Sequence, residues 1–295
     1  MHDGSANEFA EAFARVPERA RALLHGAIDI HVHASPDPNA ARKLDARQLV
    51  RMAAAAGMAG LVLKSHEYPT QALAWALGPE VPGFRIHGAI ALDNGVGGIN
   101  PEAVRISLTI GARVVWMPTF DSIQSRTRAL SSASGFHGPP VPVVDDDGAL
   151  LPACHEVLDQ LKEHDAVLAS GHLSPSETLT LLRESRRRGI RSVITHGSLW
   201  ISVEVQQELA GLGTFVEQCA VPTFRANGER AFDEIAVQVR AVGPEHVILA
   251  TDLGQAANPE PPAGFGLWIE RFLAAGFSEP DVRRMVSRNP AELLG

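Results

Sequence analysis

Two histidines separated by one residue, His31 and His33, close the stretch Ala27–Ala34, Ala-Ile-Asp-Ile-His-Val-His-Ala. On a strand, the period of two sets Ile28, Ile30 and Val32 on one face and Asp29, His31 and His33 on the other. The histidine Cα atoms then lie roughly 6–7 Å apart, within reach of one metal ion. A half-exposed strand with two solvated histidines has the same pattern, so the pair needs company. Four further residues supply it, each at the end of a short apolar run: Lys64 after Gly60–Leu63, His172 after Val167–Ala169, His196 after Ser192–Thr195 and Asp252 after Val247–Ala250. Imidazole and carboxylate are the usual ligands of catalytic zinc and similar divalent ions. His31, His33, His172, His196 and Asp252 are therefore a candidate shared metal site.

That convergence requires an architecture. Besides the runs just named, Arg85–Leu92, Arg113–Met117 and Thr214–Val216 read as strands. Helices are expected at 45–56, 69–77, 101–110, 153–164, 175–188, 204–209, 229–242, 266–275 and 278–287. Eight short apolar strands alternating with helices specify a parallel sheet, and eight is the count that closes a TIM-type (β/α)8 barrel. An open doubly wound sheet is the rival, but no Gly-x-Gly-x-x-Gly follows the first strand. In the barrel all strand ends ring one mouth, where active sites lie.

The chain is expected to form one such barrel over residues 1–295, with a helical extension within 1–26 and C-terminal helices. Too few residues flank the strands for a β-sandwich side domain. The segment 121–152 is long for a loop and rich in Ser, Gly, Pro and Asp. It emerges on the catalytic face and reads as a lid, with Phe136 or His137 as a contact. Its Asp145–Asp147 run reads as a solvated turn. His66, Trp116, Thr119, His137 and Glu217 are candidate substrate contacts. Glu217, at the end of strand seven, and Asp29 are also candidates for orienting a ligand histidine.

Composition narrows the partners. The 295 residues are 45% hydrophobic and 20% charged, with a net charge of −8, which supports a sizeable core. The one basic cluster, Arg186–Arg188, complements the end of a helix. A nucleic-acid partner is not expected. Two cysteines make no disulfide framework. With no membrane-length apolar run and no secretory pattern at the N-terminus, a cytoplasmic location is expected. The sequence is compatible with a homo-oligomer and sets no oligomeric state.

The His31-x-His33 pair, His172, His196 and Asp252, in that order along eight β/α units, resemble the amidohydrolase superfamily of metal-dependent hydrolases. The resemblance covers most of the chain from Ala27 onward. It implies that His31, His33 and Asp252 bind the more buried metal, that His172 and His196 bind a second, and that Asp252 takes the proton of the attacking water. In the family's common binuclear form a carboxylated lysine on strand four bridges the metals. Here strand four has no lysine, and Lys64 stands on strand two, from which a bridging ligand also occurs in the superfamily. A buried lysine loses its proton readily, and the neutral amine captures carbon dioxide as a carbamate. Otherwise Lys64 binds a substrate carboxylate or phosphate, or pairs with Asp29.

The expected cofactor is Zn2+, as one or two divalent ions, with Mn2+, Fe2+ or Co2+ as alternatives. The expected reaction is hydrolysis of an amide, lactam, lactone or ester bond of a small-molecule substrate by metal-activated water, with Asp252 as general base and acid. The alternatives are a one-zinc decarboxylase or hydratase on the same barrel, and a phosphoesterase or a non-catalytic metal-binding barrel.

Overall fold

Eight buried strands form one sheet in chain order: β1 Ile28–Val32, β2 Gly60–Leu63, β3 Arg85–Ala91, β4 Ala112–Trp116, β5 Val167–Ala169, β6 Ser192–Ile194, β7 Phe215–Cys219 and β8 Val247–Ala250. Each pairs in parallel with the next. The computed structural model describes residues 10–128 and 138–295. The sheet closes on itself beyond β8. Asp252 N–H donates to the His31 carbonyl at 2.8 Å, and His33 N–H donates to the Leu253 carbonyl at 2.8 Å. The fold is a (β/α)8 barrel.

Two apolar layers follow from strand alternation. Inside are Ile28, Ile30, Val62, Ala89, Ala91, Val114, Trp116, Ala169 and Ala250. Outside, against the helices, are Leu61, Leu63, Leu92, Val115, Met117, Leu168 and Ile194. Leu293 and Leu294 belong to the inner layer and plug the end where the strands begin. The helices start where their caps dictate. Asp45 and Gln48 form a capping box before Ala46–Ala55, and Ser174 and Glu177 form another before Pro175–Arg187.

Four details differ from expectation. The helical extension expected within 1–26 is interrupted by Pro17, whose extended backbone (φ −59°, ψ 151°) restarts it as Glu18–Leu24. Strand β7 runs on through Glu217 and Gln218, polar residues that read as its end, because both find partners inside the fold. Strand β1 does not alternate simply, as described below. The segment 121–152 contains a short helix, Ile123–Thr127, and a turn in which the Asp145 carboxylate accepts from Asp147 N–H and Ala149 N–H. Phe136 and His137 lie outside the described residues.

Candidate metal centre

The site begins with an irregularity in β1. Asp29 pairs with Leu61 and Val32 with Leu63, so three residues on β1 span two on β2. This is a β-bulge, a device that re-aims side chains. Ile28 and Ile30 keep the inner face, Val32 joins the outer layer, and His31 turns inward beside Trp116 at a ring separation of 5.5 Å. The two-faced strand of the sequence reading is thereby corrected: the isoleucines and histidines share the interior. Asp29 pins the bulge. Its carboxylate accepts from His31 N–H at 3.2 Å, Thr251 N–H at 3.1 Å and the Thr251 hydroxyl at 2.6 Å. Burial pushes its carboxyl up to about 7 against these donors. Asp29 thus holds the backbone of His31 and the start of the β8 loop, not a histidine ring or Lys64.

The strand ends converge as the sequence implied. Asp252 Oδ1 lies 3.2 Å from His31 Nε2 and 3.1 Å from His33 Nε2, and its Oδ2 lies 3.7 Å from His196 Nε2. Lys64 Nζ is 3.0 Å from His31 Nε2 and sits over the Trp116 ring at 5.0 Å. Five imidazoles close a circuit, with ring separations of 5.4 Å for His31–His33, 5.1 Å for His31–His196, 5.1 Å for His196–His172, 6.4 Å for His172–His66 and 5.0 Å for His66–His33. His196 and Asp252 carry left-handed backbones, φ 53° and 52°. Such conformations are strained for residues other than glycine and persist where the surroundings impose them.

Neighbours fix which ring nitrogen faces the centre. Glu217 lies 3.1 Å from His31 Nδ1, which leaves Nε2 toward Lys64 and Asp252. Ser125 Oγ lies 3.2 Å from His172 Nδ1. Thr119 donates its hydroxyl to Asp93 and stands 2.6 Å from His66 Nδ1. Outer partners of this kind set the tautomer of ligand histidines. Within this cluster two buried ring nitrogens, His172 Nε2 and His196 Nδ1, have no hydrogen-bond partner among the described residues.

A divalent metal fits this arrangement. Ligand atoms of His31, His33 and Asp252 lie within 4.8 Å of one another, as do those of His31, His196, Glu217 and Cys219. Burial pushes the imidazolium forms of His33, His66 and His172 well down, and that of His196 to about 4, so these rings are neutral, the form that ligates. Burial and Lys64 oppose a charge on His31, but Glu217 and Asp252 outweigh them. Burial also opposes the charges of Glu217 and Asp252, and His31 overcomes it in both. It holds Glu217 at about 2 and Asp252 well below the usual carboxylate range. Burial lowers the Lys64 ammonium. His33, Lys64, His66, His172, His196 and Asp252 border a cleft of about 200 Å³.

Of the expected substrate contacts, His66 lines the cleft. Trp116 does not: it is buried beneath His31 and Lys64. Thr119 and Glu217 are also buried, engaged with Asp93 and His31. Phe120, Val221, Asn39 and Gln255 form the wall instead. Sequence reasoning missed Asp93, Ser125 and Cys219. Asp93 lies just beyond β3, much as Lys64 follows β2, and Cys219 stands two residues beyond Glu217 on the same strand face. Ser125 gave no signal.

No curated protein matches this chain. A family model, described as a family of unknown function (DUF6282), matches residues 26–217, more than half of the sequence. The chain belongs to DUF6282. Solved structures show where the DUF6282 barrel finds its likeness. An amidohydrolase from Pseudomonas aeruginosa superposes with a TM-score of 0.64 at 14% identity, over 93% of this chain and 98% of that one. An organophosphorus hydrolase from Deinococcus radiodurans gives 0.61 at 13%, over 94% of each chain. A 2,6-dihydroxybenzoate decarboxylase from Rhizobium gives 0.56 at 12%, over 92% and 98%. The DUF6282 chain thus has the fold of amidohydrolase-type proteins. No helix among its described residues is long and apolar enough to cross a membrane.

Proposed function

We propose that this DUF6282 protein is a metal-dependent hydrolase that cleaves an amide, lactam, lactone or ester bond of a small molecule. The observation that carries the reading is the meeting of His31, His33, His196 and Asp252 at one point, with the ligating nitrogen of His31 fixed by Glu217. His31, His33 and Asp252 would hold one divalent ion, and His172 and His196 a second. Zinc suits this donor set, as do Mn2+, Fe2+ and Co2+. When bound, such an ion supplies Lewis acidity and brings the pKa of water toward about 7.

The chain's own residues do the rest. Asp252, held charged by His31 and His33, accepts a proton from the attacking water and returns it to the leaving group. Lys64 Nζ stands among these side chains, 3.0 Å from His31 Nε2. As a neutral amine it would add carbon dioxide and release one proton, and the resulting carbamate would offer an anionic ligand to the metal ions. Phe120 and Val221 give the cleft an apolar wall.

Metal content and turnover test the reading together. The purified protein, loaded with zinc, is expected to hold two ions per chain and to hydrolyse members of a panel of lactones, cyclic amides, N-acyl amino acids and esters. Lys64→Ala is expected to hold one ion and to lose most activity, with partial rescue by short-chain carboxylates. One ion in the wild type, with carbon dioxide release in place of hydrolysis, would replace this reading by the decarboxylase one. Two ions in Lys64→Ala would remove the bridge.

A further inference from the structure

The cleft over the metal centre is lined by three basic side chains, and two are already engaged. Arg42 is buried against Asp37, with Nε donating to Asp37 Oδ2 at 2.7 Å, and Lys64 lies at the floor beside His31 and Trp116. The third, Arg225, lines the same cleft, is exposed, and its guanidinium has no partner among the described residues.

Its platform is rigid. Arg225 follows the short helix Val221–Phe224, which springs from β7. Ala220 N–H and Val221 N–H donate to the Ala250 and Thr251 carbonyls, each at 3.1 Å, which moors the helix one residue from Asp252. The Thr223 hydroxyl donates to the Ala220 carbonyl at 2.7 Å. On the far side, Gly228 N–H donates to the Arg225 carbonyl at 2.9 Å. A Cβ at Gly228 would sit 2.0 Å from the Thr223 carbonyl oxygen, so only glycine allows the chain to turn this tightly behind Arg225. An unpaired guanidinium on a backbone held in this way, in the wall of the cleft, is a recognition element, since its fork of N–H donors matches a carboxylate.

The geometry points to Arg225 as the anchor of a substrate carboxylate, which makes the substrate class small molecules bearing a carboxylate away from the scissile bond. Charge count favours a carboxylate over a phosphate monoester. One unpaired cation balances a single negative charge, and Asp37 already neutralises Arg42. The inference rests on the hydrolase reading only in taking this cleft as the substrate's.

The test uses binding, so it does not depend on turnover. N-Acetylglycine, its neutral twin N-acetylglycinamide, and methyl phosphate are titrated calorimetrically into the protein with and without zinc. In the wild type the acid is expected to bind at least tenfold tighter than the amide, and tighter than methyl phosphate. Arg225→Met should bring acid and amide within twofold of each other at unchanged zinc content, and Arg225→Lys should keep part of the preference. An acid preference that survives Arg225→Met, a wild type that binds neither twin, or a preference for methyl phosphate that Arg225→Met abolishes would each overturn the assignment. Failure to bind zinc would sink the hydrolase reading, and the acid-to-amide ratio of the metal-free protein would then decide the role of Arg225.

Discussion

Glu217 illustrates how much one side chain governs here. It is buried, it faces His31 Nδ1 at 3.1 and 3.2 Å, and it accepts from His196 N–H at 3.2 Å. It therefore fixes one histidine by its ring and another by its backbone. Glu217→Gln keeps the shape but removes the charge that favours the Nδ1–H tautomer of His31. Zinc affinity, read by competition with a chromophoric chelator, is expected to fall roughly 10- to 100-fold. An unchanged affinity would reduce Glu217 to packing. His31, His33, His172, His196 and Asp252 were legible in the sequence because each closes or closely follows an apolar run. Strand ends of a barrel share one rim, so position along a strand became position in space. Glu217 was legible only as a polar strand end, since its partner is far off in sequence. Trp116 misled because an aromatic at a strand end belongs equally to the wall of a pocket or to the floor beneath it.

At the scale of elements, the bulge in β1 decides what the barrel can hold. Strict alternation would put the isoleucines on the face opposite the histidines, whereas the extra residue lets both occupy the interior. Nothing in the pattern Ala-Ile-Asp-Ile-His-Val-His-Ala marks the bulge. It is stabilised by Asp29 and Thr251, which meet only when β1 and β8 are neighbours. Thr251→Val is nearly isosteric and removes the hydroxyl that donates to Asp29 at 2.6 Å and accepts from Leu253 N–H at 3.1 Å. A buried group left short of a partner costs about 1–3 kcal/mol, and that loss is expected in the urea unfolding midpoint. Metal affinity should fall in the same variant, because His31 and His33 hang from the bulge. Loss of stability with no change in metal binding would separate the bulge from the site. The element boundaries themselves were largely legible, because caps such as Asp45 and Ser174 and a first-turn proline such as Pro175 act locally. Pro17 was overlooked inside a helical pattern that continues on both sides of it.

The whole molecule carries an acid sensitivity that is independent of the centre. His87, near the start of β3, is only partly exposed, and its Nε2 is buried without a partner among the described residues. Burial, with Arg85 and Arg113 nearby, lowers it to about 4. Its folded pKa lies below the ordinary value of about 6.5, so the unfolded chain takes up the proton first. The stability it contributes is complete above about pH 6.5 and is lost as pH falls toward about 4. The amount is on the order of 2 kcal/mol after allowance for partial exposure. His87→Leu is expected to flatten the stability profile across that window, measured by chemical denaturation at a series of pH values. An unaltered slope would show that His87 is solvated.

The plug formed by Leu293 and Leu294 also bears on how the barrel is made. These side chains share the inner layer with Ile28, and β1 bonds the loop after β8. The earliest strand pairs with β2 at once but meets its second neighbour, β8, only when nearly the whole described sequence has been synthesised. Until then, one flank of β1 offers unpaired amides and carbonyls to any passing extended peptide. Contacts of such long sequence separation are slow to form. During translation the first β/α units must wait, open-edged, for the last. That interval is where a holding chaperone would act and where faulty pairing between nascent chains would begin.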